Sequence, residues 1–391
     1  MRYLSIVIIL SLAFMISCGE QKVEQKEVSK PEAKQETEVS IGIVSPLTGQ
    51  TATFGKSTKD GVTLAFEEIG NKITIAGKEY KVNLIFADDQ GMPESASSAY
   101  RKLITHDKVK AIIGTVQSNC SLAGAPLAQQ HKIPMISTAS TNPKVTQTGD
   151  YIFRACFIDP FQGKVMAKYA FDNLKVKTAA VIFDNANDYS KGLAEVFKKS
   201  FEDLGGKVVS YQPFPGEDKT KDFSPLLTQI KTAKPEVIFA PCYYQAAAQI
   251  AIQSKKLGIK ATILGGDGFD SPKLVEVGKQ DVEGLTFSNH YSKDDPSPIV
   301  KQFVSAFIKK YNEAPDALAV LGYDAAKILI EAMKKADAPT SEAIRKAIAE
   351  IKNLQVVSGN ITFDAERNPI KSAAILQIKD GKQVYVTTVN P

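Results

Sequence analysis

Three short segments hold the residue types from which a small-molecule site can be built. Gly265-Gly266-Asp267-Gly268 sets one acid among glycines. Glycine lets the backbone approach a ligand closely, and a lone carboxylate there suits an ammonium group through charge-assisted hydrogen bonds. The same run also reads as an Asx-turn or a helix cap ahead of Ser271-Pro272. Ser137-Thr138-Ala139-Ser140-Thr141-Asn142-Pro143 is rich in hydroxyls, and its O–H and N–H groups can hold a carboxylate without any arginine. A hydroxyl-rich turn capping a helix at Pro143 explains it equally. Ser118-Asn119 opens a helical pattern, where free N–H groups and the helix dipole favour an anion, or where Ser118 is a plain cap. Pro126 weighs against a long helix there, since an interior proline removes a hydrogen bond. Tyr243, Tyr244, Tyr189 and Phe54 fall in loops of the same kind and can wall an apolar pocket or simply pack. Asp88-Asp89 is a paired acid, suited to acid–base work or a cation, and also a common turn.

Catalytic chemistry is poorly supplied. No Gly-x-Ser-x-Gly elbow, Walker loop or His-Glu-x-x-His is present, and the glycines around Asp267 do not fit a dinucleotide fingerprint. The histidines, His106, His131 and His290, are far apart in the chain. Beyond Cys18 the cysteines are Cys120, Cys156 and Cys242, an odd number that allows at most one bridge and has no metal-ligand spacing. The expectation is a protein that is not an enzyme, with no metal and no cofactor. The net charge of +5 is spread thinly, without a basic stretch interleaved with aromatics, so no nucleic-acid partner is expected.

The elements that must position these residues follow from periodicity. Ser40–Val44, Lys81–Phe86, Ala111–Ile113 and Met135–Ser137 are short apolar runs bounded by Gly, Pro, Asp and Ser, the signature of buried strands. Helical spacing separates them, as in Val62, Ala65, Phe66 and Ile69. After Phe161 the alternation restarts, with strands at Ala179–Phe183, Val208–Tyr211, Val237–Ala240 and Thr262–Leu264. Helices fall between them at Gly192–Leu204, Ser224–Lys231 and Ala246–Leu257. Helical patterns at Ile299–Tyr311, Ala317–Lys335 and Ser341–Ile351 and strands at Ala373–Ile378 and Gln383–Thr388 complete the chain. Repeated β-α-β units demand parallel sheets covered on both faces. The fold class is therefore α/β, as two doubly wound parallel-sheet lobes facing a cleft. Ligands in such sheets sit beyond the carboxyl ends of the strands, where all the segments above lie.

The joint order of several motifs resembles a known family. Ser45-Pro-Leu-Thr-Gly49, Gly114-Thr-Val-Gln-Ser118, Ile133 to Pro143, Tyr151-Ile-Phe-Arg154 and Tyr323-Asp-Ala-Ala326 are similar to the branched-chain amino-acid-binding proteins of ABC importers, from about Val39 to the C-terminus. The resemblance implies a type I periplasmic-binding-protein fold, two lobes joined by three crossing segments. Its implied lobes are 39–158 plus 290–364 and 159–289 plus 365–391, with crossings near Ile158, Asn289 and Asp364. It also implies that Ser118 and Thr141, with the backbone at Ala139 and Ser140, hold an amino acid's carboxylate and part of its ammonium. Asp267 would pair with the ammonium, near Tyr243, while Tyr189 and Phe54 would line the side-chain pocket. Better-known members carry Glu where this chain has Asp267 and Tyr where it has Phe54. They also carry a disulfide where this chain has Gly91 and Gln117. The implied function is capture of a zwitterionic, aliphatic amino acid by cleft closure and delivery to ABC permease subunits, by a monomer. Binding of amides, urea or another amino-acid class, and a sensory role, are the alternatives.

The N-terminus indicates where this happens. Met1-Arg2 precedes an almost wholly apolar stretch, Tyr3 to Met15, and then Ile16-Ser17-Cys18. A basic start, a short apolar core and a small residue before the cut form a secretory signal. The run falls short of the ~20 residues of a spanning helix. A cysteine at the first mature position is the bacterial lipoprotein pattern, in which two or more acyl chains anchor the protein. Residues 19–38 interleave Glu and Lys with few hydrophobes and read as a flexible tether. The expected location is the periplasmic or extracellular face of the cell envelope.

Substituting Cys18→Ala is expected to leave the chain uncleaved at this point and without acyl groups. Mass spectrometry of the parent's mature N-terminal peptide checks the premise. A parent peptide that begins elsewhere and carries no acyl mass overturns it.

Overall fold

Runs of β-branched residues too short for helices become parallel strands here, and the amphipathic segments between them cover both faces of each sheet. The computed structural model describes residues 37–391. The expected signal, Cys18 and nearly all of the charged tether lie outside the described residues.

The first sheet is built from β1 (Glu38–Ser45), β2 (Lys72–Ile75), β3 (Lys78–Asp88), β4 (Ala111–Ile113), β5 (Met135–Ser137) and β6 (Ile152–Arg154), in the order β2-β3-β1-β4-β5-β6. All neighbours are parallel except the β2–β3 hairpin. The second sheet comprises β7 (Thr178–Asp184), β8 (Lys207–Phe214), β9 (Val237–Phe239), β10 (Thr262–Gly265) and β11 (Thr286–Asn289). A small hairpin of β12 (Leu354–Val356) and β13 (Gly359–Ile361) precedes the final pair, β14 (Ala373–Lys379) and β15 (Lys382–Val389). The second sheet runs β15-β14-β11-β10-β9-β7-β8, with β14 and β15 as antiparallel additions at one edge. In each sheet the strand order reverses once, beside β1 and beside β7. The crevices for ligands open at such points.

Helices Ala52–Glu67 and Ala317–Lys335 pack as one layer on the first sheet. Their backbones nearly touch. A Cβ on Gly61 would lie 1.9 Å from the Ala319 carbonyl oxygen, and one on Gly322 would lie 2.5 Å from that of Thr58, so only glycine permits this crossing. Helix Ser118–Gln130 forms in full despite Pro126. The proline sits on the exposed face, where the carbonyl it leaves without a donor can be hydrated.

Several elements go beyond the periodicity analysis. β2, β6, β11, β12 and β13 are three or four residues long, and a charged, hydroxyl, amide or glycine residue in each breaks its apolar run. Helix Asp188–Asp203 starts earlier than the expected Gly192, because Asn187 Oδ1 accepts from the Tyr189 N–H at 3.0 Å and caps it. No helix among the described residues is long and apolar enough to cross a membrane.

The chain passes between the two sheets three times. The first passage follows β6 through Ala155–Ile158, and the second follows β11 through His290. Before the third, residues 363–369 remain against the first sheet. Arg367 donates to the carbonyls of Ile152 (3.1 Å) and Thr146 (2.7 Å), and the Thr146 hydroxyl donates to Asn368 (2.9 Å). The expected boundary near Asp364 falls inside this anchored segment. The buried Lys371 ammonium then ties the third passage to the first by donating to the Ala155 carbonyl at 2.9 Å.

Arg154, at the end of β6, is fully buried. Its guanidinium donates to the carbonyls of Ser140 and of Asn142 (2.8 Å), and to the Thr146 hydroxyl (3.2 Å). It thereby fixes the hydroxyl-rich loop after β5. Arg154→Met keeps the apolar stem and leaves these acceptors without their donor. Orphaned buried acceptors cost about 1–3 kcal/mol each, and shedding a desolvated charge offsets part of this. The expected net loss is about 2 kcal/mol, read as a lower urea midpoint. A midpoint equal to the parent's would show that the loop does not depend on this cation.

Candidate ligand-binding cleft

The loops after β4 and β5 make one wall. Ser118 is the first residue of its helix and not its cap; Gln117 holds the cap position. The Ser118 hydroxyl instead accepts from the Asn142 N–H at 3.3 Å, joining the two loops. The helix start also keeps N–H groups that no residue four positions earlier can satisfy. The Ser140 hydroxyl lies 2.7 Å from that of Ser121 and donates to the carbonyls of Thr115 and Val116. The Ser140 N–H is spent on Ser137 Oγ at 3.2 Å. Ser140 thus builds the wall, and its hydroxyl does not face the ligand space. Thr141 is buried beside Asp159, whose N–H donates to the Thr141 carbonyl at 2.9 Å. This bond starts helix Asp159–Lys168 directly against the loop.

The loops after β7, β9 and β10 make the opposite wall. The rings of Tyr189 and Tyr243 stack with centroids 5.5 Å apart, and Phe54 from the first lobe meets Tyr243 edge-on at 5.8 Å. The Tyr189 hydroxyl accepts from the Gly268 N–H at 3.2 Å. Glu217, half-buried, accepts from the Tyr243 N–H at 2.9 Å, and desolvation of its carboxyl pushes it up to about 8. Asp267 is neither an Asx-turn nor a cap; Ser271 caps the following helix. The Asp267 N–H donates to Gln162 at 2.9 Å, and its Oδ2 lies 2.9 Å from His290 Nε2. Oδ1 is buried and has no hydrogen-bond partner.

Phe54, Val116, Ser118, Ala139, Tyr189, Tyr243, Asp267, Gly268 and Leu318 line a narrow space between the two walls. Six of the expected residues line it; Ser140 and Thr141 do not. Val116, Gly268 and Leu318 are additions, as are the residues behind Asp267. Leu318 opens a helix far from any strand end. Asp159, in an Asp-Pro pair, reads from sequence as an ordinary helix start. In the fold it is buried, and burial, reinforced by the charge on Asp267, pushes its carboxyl up to about 8. His290 offered no spacing signal, because no second histidine accompanies it. The lobes touch around the space. Tyr244 donates to the Gln50 carbonyl at 2.7 Å, Asn142 donates to that of Asp188 at 2.9 Å, and Thr53 and Ser271 hydroxyls are 3.0 Å apart.

Asp88 and Asp89 serve as structural ties. Asp88 accepts from the N–H groups of Leu47 and Gln90, and Asp89 from that of Gly91 and from the Thr115 hydroxyl. Gly91 and Gln117 do face each other, since a Cβ on Gly91 would lie 2.5 Å from Gln117 Oε1. Cys120, Cys156 and Cys242 are buried and free. Among the described residues no group of three or more His, Cys, Asp or Glu could hold a metal ion.

The family described as periplasmic binding protein matches residues 38–383. A Leu/Ile/Val-binding protein homolog of Brucella melitensis is 31% identical over 353 residues, 89% of this chain and 93% of the relative. The crystal structure of a leucine binding protein, LivK, of Thermotoga maritima superposes with a TM-score of 0.85 at 38% identity, covering 90% of this chain and 99% of that one. The branched-chain amino acid transporter substrate binding protein LivJ of Streptococcus pneumoniae, in complex with isoleucine, gives 0.85 at 30% identity, covering 91% and 100%.

Proposed function

Because this chain belongs to the periplasmic binding protein family, we propose that it captures a zwitterionic amino acid with a branched or other aliphatic side chain and hands it to the permease of an ABC importer. As a member of that family it works outside the cytoplasm; we propose further that Cys18 anchors it by lipid. It carries out no chemistry on its ligand. The relatives named for leucine, isoleucine and valine support the ligand class.

The observation that carries the reading is the unpartnered Oδ1 of Asp267, across a small and largely apolar space from the helix start at Ser118. An acid on one wall and a helix N-terminus with a hydroxyl on the other match the two charges of an amino acid. Phe54, Tyr189, Tyr243, Val116 and Leu318 surround the side chain between them. The backbone at Ala139 completes the proposed carboxylate seat, and Ser140 and Thr141 form the wall behind it. Capture is by closure: the two lobes swing about the three passages. Closing removes water, which strengthens the paired charges. Differential affinity for the closed state shifts the population toward it.

Calorimetric titration with leucine tests the charge recognition. Asp267→Asn leaves a desolvated ammonium without its counter-charge, a loss of about 2–5 kcal/mol, or roughly 30- to several-thousand-fold in affinity. Ser118→Ala removes a neutral donor worth about 0.5–1.5 kcal/mol, about two- to tenfold. If folded Asp267→Asn binds as tightly as the parent, a neutral amide becomes the better ligand. Closure is tested by small-angle scattering. Saturating leucine is expected to reduce the radius of gyration, and an unchanged profile at saturation contradicts the hinge motion.

A further inference from the structure

The acid that faces the ligand space is itself gripped from behind. Asp267 Oδ2 lies 2.9 Å from His290 Nε2, and both side chains are buried. The imidazole is fixed in turn: its ring stacks on Phe157 with centroids 3.8 Å apart and planes 28° from parallel. Phe157 belongs to the first passage between the sheets and His290 to the second. A carboxylate held at one oxygen presents the other in a set direction, and binding sites depend on such support behind the contact residue.

We infer that His290 is the positioning residue for Asp267: its Nε2–H holds Oδ2 from the hinge side and leaves Oδ1 for the cationic end of the ligand. The identity of that ligand rests on the amino-acid reading above; the hydrogen bond and tautomer rest on the local geometry.

A consequence in pH follows. Burial lowers the His290 pKa from its ordinary value, although the neighbouring Asp267 raises it. Lys371, on the third passage, adds to the lowering, and Asp270, in the turn after Asp267, opposes it. The imidazole is therefore neutral at pH 7 and sets no positive charge against Asp267. Protonating His290 would place an imidazolium against the Asp267 carboxylate and offset its charge. Because the folded pKa lies below the unfolded one, the neutral arrangement is intact at neutral pH and is lost as pH falls through the folded pKa. Ligand affinity falls with it, by up to about tenfold per pH unit. Asp159, pushed up to about 8, already carries its proton throughout this acid range.

The chain has three histidines, and His106 and His131 are exposed, so imidazole 15N NMR can follow His290 individually. The expected result, without ligand, is an Nε2–H tautomer at pH 7.5 that protonates only below pH ~6.5. In calorimetry with leucine, the parent's Kd is expected to stay level from pH 7.5 down to the pH at which the NMR titration shows His290 taking up its proton, and to rise below it by up to about tenfold per pH unit. His290→Gln keeps a donor that cannot titrate and is expected to give a nearly flat Kd over the same range. An Nδ1–H tautomer, an imidazolium at pH 7.5, or a His290→Gln slope equal to the parent's overturns the inference. Should His290→Gln not fold, Asp267→Asn supplies the second arm: losing the carboxylate is expected to lower the His290 pKa further, and an unmoved titration overturns the inference. If leucine binds the parent at no pH, the amino-acid reading fails, while the NMR arms still decide the pairing of His290 with Asp267.

Discussion

The cleft depends on a buried cation whose hydrogen bonds go to carbonyls and a hydroxyl. Arg154 is fully buried, and a desolvated charge survives in a protein interior only when well hydrogen-bonded. The carbonyls of Ser140 and Asn142 converge on it, and this convergence shapes the loop after β5. Ser137 and Ser140 then have their hydroxyls committed to the Thr115 carbonyl. The loops after β4 and β5 thereby become one rigid wall, with the Ser118 helix start as its edge.

The facing wall is organised around acids. Gln162 connects them: its side-chain amide donates to Asp159 at 3.2 Å, and its carbonyl oxygen accepts from the Asp267 N–H and the Ser288 hydroxyl. Two buried carboxylates this closely linked disfavour a second negative charge. Burial, with Asp267 beside it, raises the Asp159 pKa to about 8, so Asp159 stays largely protonated at neutral pH. One wall is thus fixed by a cation out of sight of the ligand, the other by the Gln162 amide that joins Asp159 to the Asp267 backbone.

Much of this arrangement was legible in the sequence because parallel sheets send their functional loops to the carboxyl ends of strands. Ser118, Ala139 and Asp267 were locatable from that rule, and the family resemblance supplied roles for Tyr189, Tyr243 and Phe54. What could not be read depends on side-chain direction or long-range proximity. A count of hydroxyls cannot tell that Ser140 turns inward to Thr115 while Ser118 reaches the cleft. Leu318 arrives from a helix start more than a hundred residues downstream of the wall it joins. His290 is paired only in three dimensions, so its isolation along the chain concealed it. Pro126 misled for a simple reason: whether a proline harms a helix depends on which face it occupies, and here that face meets solvent.

Gly91 and Gln117 adjoin each other without sulfur, and the Thr51 hydroxyl bridges to Gln117 Oε1 at 3.3 Å instead. Burial raises the thiol pKa of Cys120, Cys156 and Cys242, and thiols so protonated are poor nucleophiles for exchange. The folded body therefore needs no electron acceptor to mature after export. Its native state is indifferent to the redox poise of its surroundings, and strong reductants leave its cross-lobe geometry with nothing to break.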